Sequence, residues 1–182
     1  DDKNYIFGYE ESAGYLIGEY VRDKDAVTAA LIAAEMTGYF KERGSSLDEE
    51  LEKLYEKYGY YVDELQNIKL EGIEGKEKIE KIIDTFRNEN MNDYFDDKII
   101  IKNDYEEKIS TDFKKNKKSS IQLPKSNVLK YIFEDGSSFV IRPSGTEPKL
   151  KIYYSVVDNS LEKSKEKYKN IYRKVNEIID KV

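Results

Sequence analysis

Three predicted strands between residues 128 and 156 constrain the fold more than any other feature of this sequence. Residues 128–133 and 139–142 flank an Asp135-Gly136 pair, and Asp-Gly between two such runs is typical of a β-hairpin. Residues 150–156 then alternate apolar and polar side chains. Alternation indicates strands with one buried face, so this region predicts antiparallel strands that need a covering layer.

The segments around these strands supply that layer. Residues 67–70 and 99–101 are predicted strands, and helical periodicity marks residues 76–88 and the segment after Asn159. Residues 102–127 are polar, and no element is predicted there. The order of elements predicts an α+β fold, an antiparallel sheet with helices on one face.

The first sixty residues have a different organisation. Residues 5–7 are a predicted strand, a glycine-punctuated loop follows to Gly18, and residues 26–42 form a predicted helix with Asp25 as N-cap. Ser46 to Glu49 has the pattern of a capping box before a further helix. A strand needs a neighbour and none precedes residues 5–7, so the sequence predicts a cut chain whose earlier part is missing.

Composition excludes several classes of function. The 182 residues contain neither histidine nor cysteine, which excludes histidine/cysteine zinc sites and cysteine nucleophiles and favours a reducing, cytoplasmic location. The net charge of −6 argues against nucleic-acid binding. No apolar run is long enough for a membrane span. The sixteen tyrosines are expected to be half-buried surface cover rather than chemical groups.

The loop at residues 142–149, Arg-Pro-Ser-Gly-Thr-Glu-Pro-Lys, has the chemistry that a phosphate dianion requires. Arg142 offers a bidentate cation, Gly145 permits converging backbone N–H groups, and Ser144 and Thr146 supply hydroxyl donors. Lys149 and Lys151 add positive charge nearby. The same residues also fit an ordinary type I turn, so local chemistry leaves both readings open.

Two further segments carry polar groups of interest. Glu10 and Ser12 are two residues apart, so in an extended segment both side chains point the same way and suit vicinal sugar hydroxyls. Lys24 precedes a helix N-terminus, where a substrate phosphate could bind. The alternatives are a glycine-bounded loop with solvated acids for the first segment, and N-capping by Asp25 with surface ion pairs for the second.

Taken together, these three segments resemble one family. The stretches 9–14 (YEESAG), 22–25 (RDKD) and 142–148 (RPSGTEP) match in order and separation the sugar loop, the helix-opening segment and the phosphate loop of α-D-phosphohexomutases. The resemblance covers nearly the whole chain. The residues of the sugar-loop motif are most similar to the bacterial phosphoglucomutase branch related to phosphopentomutases.

The resemblance implies a fold and a division of the chain. Family members have four domains around a deep cleft, so residues 1–60 would be the tail of the third, sugar-reading α/β domain. Residues 65–182 would be the fourth, C-terminal domain, which in the family is a TATA-binding-protein-like sheet with helices. The missing N-terminal domains of the same chain would be its partners, and the fold analogy implies no DNA binding.

The resemblance also assigns roles. Glu10 and Ser12 would bind the sugar hydroxyls and Lys24 the substrate in the same cleft. Arg142, Ser144, Gly145 and Thr146 would hold the phosphate that is not being transferred. The parent would interconvert hexose 1-phosphate and hexose 6-phosphate, through a phosphoserine enzyme and a bisphosphate intermediate. Glucose is the first choice of sugar and mannose the second.

Parts of the family's catalytic apparatus are not found in this sequence. It contains no histidine for a phosphoserine loop of the Thr-Ala-Ser-His-Asn-Pro type and no Asp-x-Asp-x-Asp-Arg magnesium loop. Mg²⁺ and glucose 1,6-bisphosphate are therefore expected to act in the full-length parent, with no metal ligand or catalytic residue here. The fragment alone is expected to be inactive. The alternatives are a phosphopentomutase and a non-catalytic phospholigand-binding module.

Overall fold

Two compact units make up the computed structural model, Asp1–Lys57 and Tyr58–Val182. The structure describes residues 5–10, 13–70, 72–145 and 147–182. The first unit contains strands β1 (Phe7–Glu10) and β2 (Gly14–Ile17) and helix α1 (Ala26–Glu42), and helix α2 (Leu47–Tyr58) follows.

Strands β1 and β2 form an antiparallel hairpin in which Phe7 lies opposite Ile17 and Glu10 opposite Gly14. This corrects the expectation of an unpartnered opening strand, because its neighbour follows it in the chain. The rings of Phe7 and Tyr15 stack across the hairpin with centroids 6.5 Å apart. The predicted glycine-rich loop is therefore mostly strand.

The helix starts follow the capping rules. The carboxylate of Asp25 accepts hydrogen bonds from the backbone N–H groups of Val27 and Thr28, which confirms it as the N-cap of α1. Before α2, the Glu49 carboxylate accepts from Ser46 N (3.1 Å) and the Ser46 hydroxyl accepts from Glu49 N (3.2 Å), a complete capping box. Both predicted caps are confirmed.

The second unit is built on a seven-stranded antiparallel sheet with the strand order β3-β9-β8-β7-β4-β5-β6. The strands are β3 (Tyr60–Lys69), β4 (Ile99–Asp104), β5 (Ile109–Asp112), β6 (Lys117–Ser120), β7 (Leu129–Phe133), β8 (Ser138–Pro143) and β9 (Lys149–Asp158). The helices are α3 (Gly72–Asn88) and α4 (Leu161–Asp180), with a 3₁₀ turn at Met91–Asp93. The predicted α+β class is confirmed.

The pleat of the sheet decides which side is covered. In β9 the apolar positions of the alternating run are buried while the residues between them are only partly buried. Register aligns these positions with the buried residues of β7 and β8, and helices α3 and α4 contribute their apolar stripes to the same core. Both helices therefore cover one face, as the alternation predicted. Within the described residues of this unit no helix covers the other face, which is called the open face.

Two regions of this unit differ from expectation. Residues 102–127 contain the rest of β4 and the strands β5 and β6, although no element was predicted there. All four residues of β6 are exposed, so hydrophobic alternation, the signal used to find strands, is absent. The tyrosine expectation is also wrong for Tyr131 and Tyr154, which are 1% and 2% exposed. Burial raises the pKa of both hydroxyl groups.

The helices of the described part of the chain show no span that could cross a membrane.

Candidate functional site

The loop between β8 and β9 is closed by backbone hydrogen bonds. Ser144 N–H donates to the carbonyl of Lys149 at 2.7 Å, immediately after β8 ends and where β9 begins. Leu70 N–H donates to the carbonyl of Pro148 at 3.0 Å, which fixes the loop to the end of β3. A loop held at its base in this way loses less conformational entropy when it binds a ligand.

The predicted phosphate-binding residues lie together at this loop, as far as the structure describes them. Arg142 and Gly145 are exposed, and Ser144 is half-buried. The N–H of Ser144 is already bound to Lys149, so Ser144 can offer an anion only its hydroxyl group. Thr146 lies outside the described residues, and its role stays a prediction. The arrangement leaves a guanidinium group and a small hydroxyl donor accessible at one end of the sheet.

A cavity of about 990 Å³ lies between the loop and helix α3. Its apolar wall includes Ile79 and Ile83 of α3, and Pro143 and Pro148 of the loop. Its polar lining includes Arg142. The volume is within the range of small-molecule sites, so the loop borders a space that could accept the body of a ligand.

In the first unit, the structure brings Glu10 and Lys24 together. The Nζ atom of Lys24 lies 3.5 Å from Oε1 of Glu10 and 3.4 Å from Oδ1 of Asp23, and the side chains of Glu10 and Lys24 are each 50% exposed. Asp23 first, and Glu10 second, raise the pKa of Lys24 above its usual value. Ser12 lies outside the described residues, so its relation to Glu10 stays a prediction.

Gly14 explains how the Lys24 side chain reaches Glu10. A Cβ atom at position 14 would collide with Cδ and Cγ of Lys24 and would lie 3.3 Å from Oε2 of Glu10. Asp25 N–H also donates to the carbonyl of Tyr15 at 2.8 Å, which holds the segment before α1 against β2. The glycine of the sugar-loop motif therefore makes room for the lysine of the next motif, a relation that sequence spacing does not show.

Asp25 supplies a pH-dependent prediction for this segment. Hydrogen bonds from the hydroxyl groups of Thr28 and then Tyr20 lower the pKa of Asp25 from 3.8 to about 2. A depressed folded-state pKa means that the cap is fully effective above about pH 4 and is lost as the pH falls through about 2. We expect an NMR titration of the Asp25 carboxyl carbon to have its midpoint near pH 2, with the Val27 and Thr28 amide signals shifting together.

Asp25→Asn is the control for this titration, because the amide oxygen can still accept hydrogen bonds but does not titrate. Its Val27 and Thr28 amide signals should stay constant over the same pH range. A midpoint near the ordinary value of 3.8 in the unaltered chain would contradict the assignment of these hydrogen bonds.

Metal binding has no support from the side chains that can be placed. Within residues 5–10, 13–70, 72–145 and 147–182, no group of three or more histidine, cysteine, aspartate or glutamate residues is positioned to hold a metal ion. The Mg²⁺ expected for the parent therefore stays a prediction for the longer protein.

Comparisons with known proteins identify the family of this chain. The family description "Phosphoglucomutase/phosphomannomutase, alpha/beta/alpha domain III" matches residues 1–58, and "Phosphoglucomutase/phosphomannomutase, C-terminal domain" matches residues 41–167. Among curated proteins, a phosphoglucomutase of Staphylococcus epidermidis is 41% identical over 155 residues, 85% of this chain and 28% of the relative. One from Staphylococcus haemolyticus is 36% identical over 174 residues, 94% of this chain and 31% of the relative.

A solved structure shows the same fold. The open form of pp63/parafusin, an exocytosis-sensitive phosphoprotein and phosphoglucomutase from Paramecium, superposes with a TM-score of 0.62 at 18% identity, over 93% of this chain and 29% of that one. This chain thus spans under a third of the length of the proteins it matches. Two overlapping domain descriptions cover most of it, and the chain therefore belongs to the phosphoglucomutase/phosphomannomutase family.

Proposed function

We propose that this chain is the sugar- and phosphate-binding part of a phosphosugar mutase that interconverts hexose 1-phosphate and hexose 6-phosphate. The observation that carries the proposal is the loop after β8, where Arg142 and Ser144 lie accessible beside a cavity large enough for a sugar. The family membership supports the same reaction class. Glucose is the proposed sugar, because the curated relatives are named phosphoglucomutases, and mannose is the second choice.

The proposed roles divide between the two units. Arg142, Ser144 and Gly145, with Thr146, bind the phosphate that is not being transferred. Glu10, with Ser12, accepts hydrogen bonds from sugar hydroxyl groups, and Lys24 adds a positive charge beside Glu10. A phosphate site separate from the reacting centre suits a mutase, because the sugar must bind in two opposite orientations in one reaction cycle. The binding energy of the held phosphate then serves to orient the other end.

The remaining parts of the reaction belong to the proposal as well. The phosphoserine, the Mg²⁺ ion and the glucose 1,6-bisphosphate activator would act in the longer protein, outside the residues of this chain. We propose that the 182-residue chain is inactive on its own, since it contains no metal ligand set of the family type. The cytoplasmic location stays a prediction.

The test is a mutase assay on a full-length protein carrying this chain, with Mg²⁺ and a trace of sugar bisphosphate. Glucose, mannose, ribose and N-acetylglucosamine 1-phosphates are offered side by side, and the 182-residue chain is assayed in parallel. We expect turnover of glucose 1-phosphate by the full-length protein and none by the chain alone. Preference for ribose 1-phosphate would replace the hexose assignment with a phosphopentomutase. If none of the four sugar phosphates is turned over, the mutase assignment is wrong, and a non-catalytic phospholigand-binding module becomes the better assignment.

A further inference from the structure

Four cations are grouped at one end of the open sheet face, beside the loop of Arg142. In register, Lys69 of β3 lies opposite Lys149 of β9, and Lys151 of β9 lies opposite Arg142 of β8. These four residues are called the cation patch below. Lys69 is the member that the sequence pattern does not indicate, because β3 and β9 are far apart along the chain.

Burial of the alternate residues places the patch on the open face. Leu150 and Ile152 on β9 and Ile141 on β8 are fully buried in the core beneath α3 and α4. Since neighbouring residues of a strand point to opposite faces, Arg142, Lys149 and Lys151 belong to the uncovered side. Ile68 packs against the core, so its neighbour Lys69 belongs to the uncovered side as well.

The arrangement is electrostatically unfavourable by itself. Residues directly opposite on antiparallel strands have Cβ atoms about 4.5–5.5 Å apart, and like charges in such positions destabilise a sheet. Here two like-charged pairs occur next to each other. Lys149 and Lys151 are also half-buried, which limits how far water can screen them.

The described neighbours do not neutralise this charge. Among the residues that the structure describes, no ion pair or side-chain hydrogen bond involves Lys69, Arg142, Lys149 or Lys151. Other described lysines, such as Lys114, Lys125 and Lys167, are paired with carboxylates. On the same face, Asp63 of β3 lies opposite Ser155, away from the patch. Uncompensated like charges held in register fit an anionic ligand better than a purely structural role.

We propose that Lys69 and Lys149 extend the phosphate site of the loop into the cation patch, and that their field strengthens the capture of phosphate dianions. This inference rests on the proposed function for the identity of the loop, and it adds Lys149 at the end of the loop and Lys69 on the neighbouring strand. Coulomb attraction scales with ligand charge, so Lys69 and Lys149 favour a dianion over a monoanion. They thereby select the fully ionised phosphate monoester.

The experiment is an amide chemical-shift titration of the 182-residue chain with inorganic phosphate above its second pKa, followed at Gly145. Sulfate serves as a fixed dianion and formate as a monoanion. At low ionic strength we expect Lys69→Gln/Lys149→Gln to raise the Kd for phosphate and sulfate roughly three- to tenfold. The Kd for formate should rise by about the square root of that factor, because formate carries half the charge. Adding about 200 mM NaCl should remove most of the difference in Kd between the variant and the unaltered chain.

Lys165→Gln/Lys169→Gln is the matched control, because both lysines are exposed on α4, which covers the opposite face, and the net charge changes equally. Its Kd values should equal those of the unaltered chain. Equal Kd values for the patch variant, or equal weakening by the control, would overturn the proposal. If the double variant does not give a native spectrum, Lys69→Gln alone is tested instead. Its expected increase in log Kd is about half that of the double variant.

Arg142→Gln separates this proposal from the one it rests on. If Arg142→Gln leaves phosphate binding unchanged, the phosphate site of the loop is refuted, and the proposed function loses its main support. If Arg142→Gln abolishes binding while the Lys69 and Lys149 variant binds as the unaltered chain does, only the extension into the patch is refuted.

Discussion

Arg142→Ala is expected to lower kcat/KM for glucose 1-phosphate by about 10²-fold in a full-length protein carrying this chain. Removing one partner of a hydrogen-bonded charge pair at a binding site costs about 2–5 kcal/mol, and each 1.4 kcal/mol is a factor of ten. Arg142 is well placed for this effect, because no described carboxylate pairs with it and the base of its loop is fixed by Ser144 and Lys149.

The split between kcat and KM carries the mechanistic information. Binding energy from a phosphate that does not react is used to orient the reacting end, so its loss should lower kcat as well as raise KM. Arg142→Lys keeps the charge but loses the bidentate geometry, and we expect it to recover only part of the activity. Steady-state kinetics over a range of substrate concentrations measure both parameters.

Arg173→Ala is the matched control, because Arg173 lies on α4 and, among the described residues, its side chain pairs with Glu177 and Asn170 of the same helix. It removes the same charge at a distance from the loop, and its kinetic parameters should equal those of the unaltered protein. Unchanged kcat and KM for Arg142→Ala would exclude Arg142 from the phosphate site, whatever the control shows.

The parts of the fold that the sequence predicted are those governed by local rules. The Asp135-Gly136 hairpin, the Asp25 cap and the Ser46/Glu49 capping box each depend on residues within a few positions of one another. Helix α3 was also found, although it begins at Gly72 rather than residue 76. Alternation along β9 predicted correctly which side chains enter the core, because a strand with one covered face must alternate.

What the sequence did not show depends on pairing between distant segments. The exposed strand β6 has no buried face to leave a hydrophobic pattern, and its existence follows from its ladder with β5. The approach of Lys24 to Glu10 depends on the missing side chain of Gly14, and Lys69 joins the cation patch only through the β3–β9 register. The residue types predicted the candidate phosphate loop and the charges of Lys149 and Lys151 beside it, whereas the position of Lys69 could not be predicted from them.

Phe139→Ala is expected to lower the free energy of unfolding of the second unit by about 3–5 kcal/mol, the usual cost of removing a large buried ring. The Phe139 side chain is fully buried, and its ring lies 4.9 Å from that of Tyr131 and 5.5 Å from that of Phe95. The rings of Phe86 and Phe133 are each 6.1 Å away. A cavity at this position therefore removes contacts to β7, α3 and the segment before β4 at once.

Urea unfolding, followed by near-ultraviolet circular dichroism of the tyrosines, measures this loss of unfolding free energy. The loss should be easy to detect, because the total free energy of unfolding of a domain is only about 5–15 kcal/mol. Ile73→Ala is the control: Ile73 is 81% exposed on α3, so its change should stay below about 0.5 kcal/mol. A loss under about 1 kcal/mol for Phe139→Ala would contradict the central position of this ring.

The same substitution separates stability from binding, because β8 carries Phe139 and Ile141 into the core and Arg142 onto the open face. Phe139→Leu keeps an apolar side chain and should cost less than Phe139→Ala. Below the unfolding transition, we expect Phe139→Leu to bind inorganic phosphate with the Kd of the unaltered chain, since the strand register that places Arg142 opposite Lys151 is retained. A higher Kd for phosphate in a folded Phe139→Leu variant would mean that core packing, rather than strand register, positions the guanidinium group of Arg142.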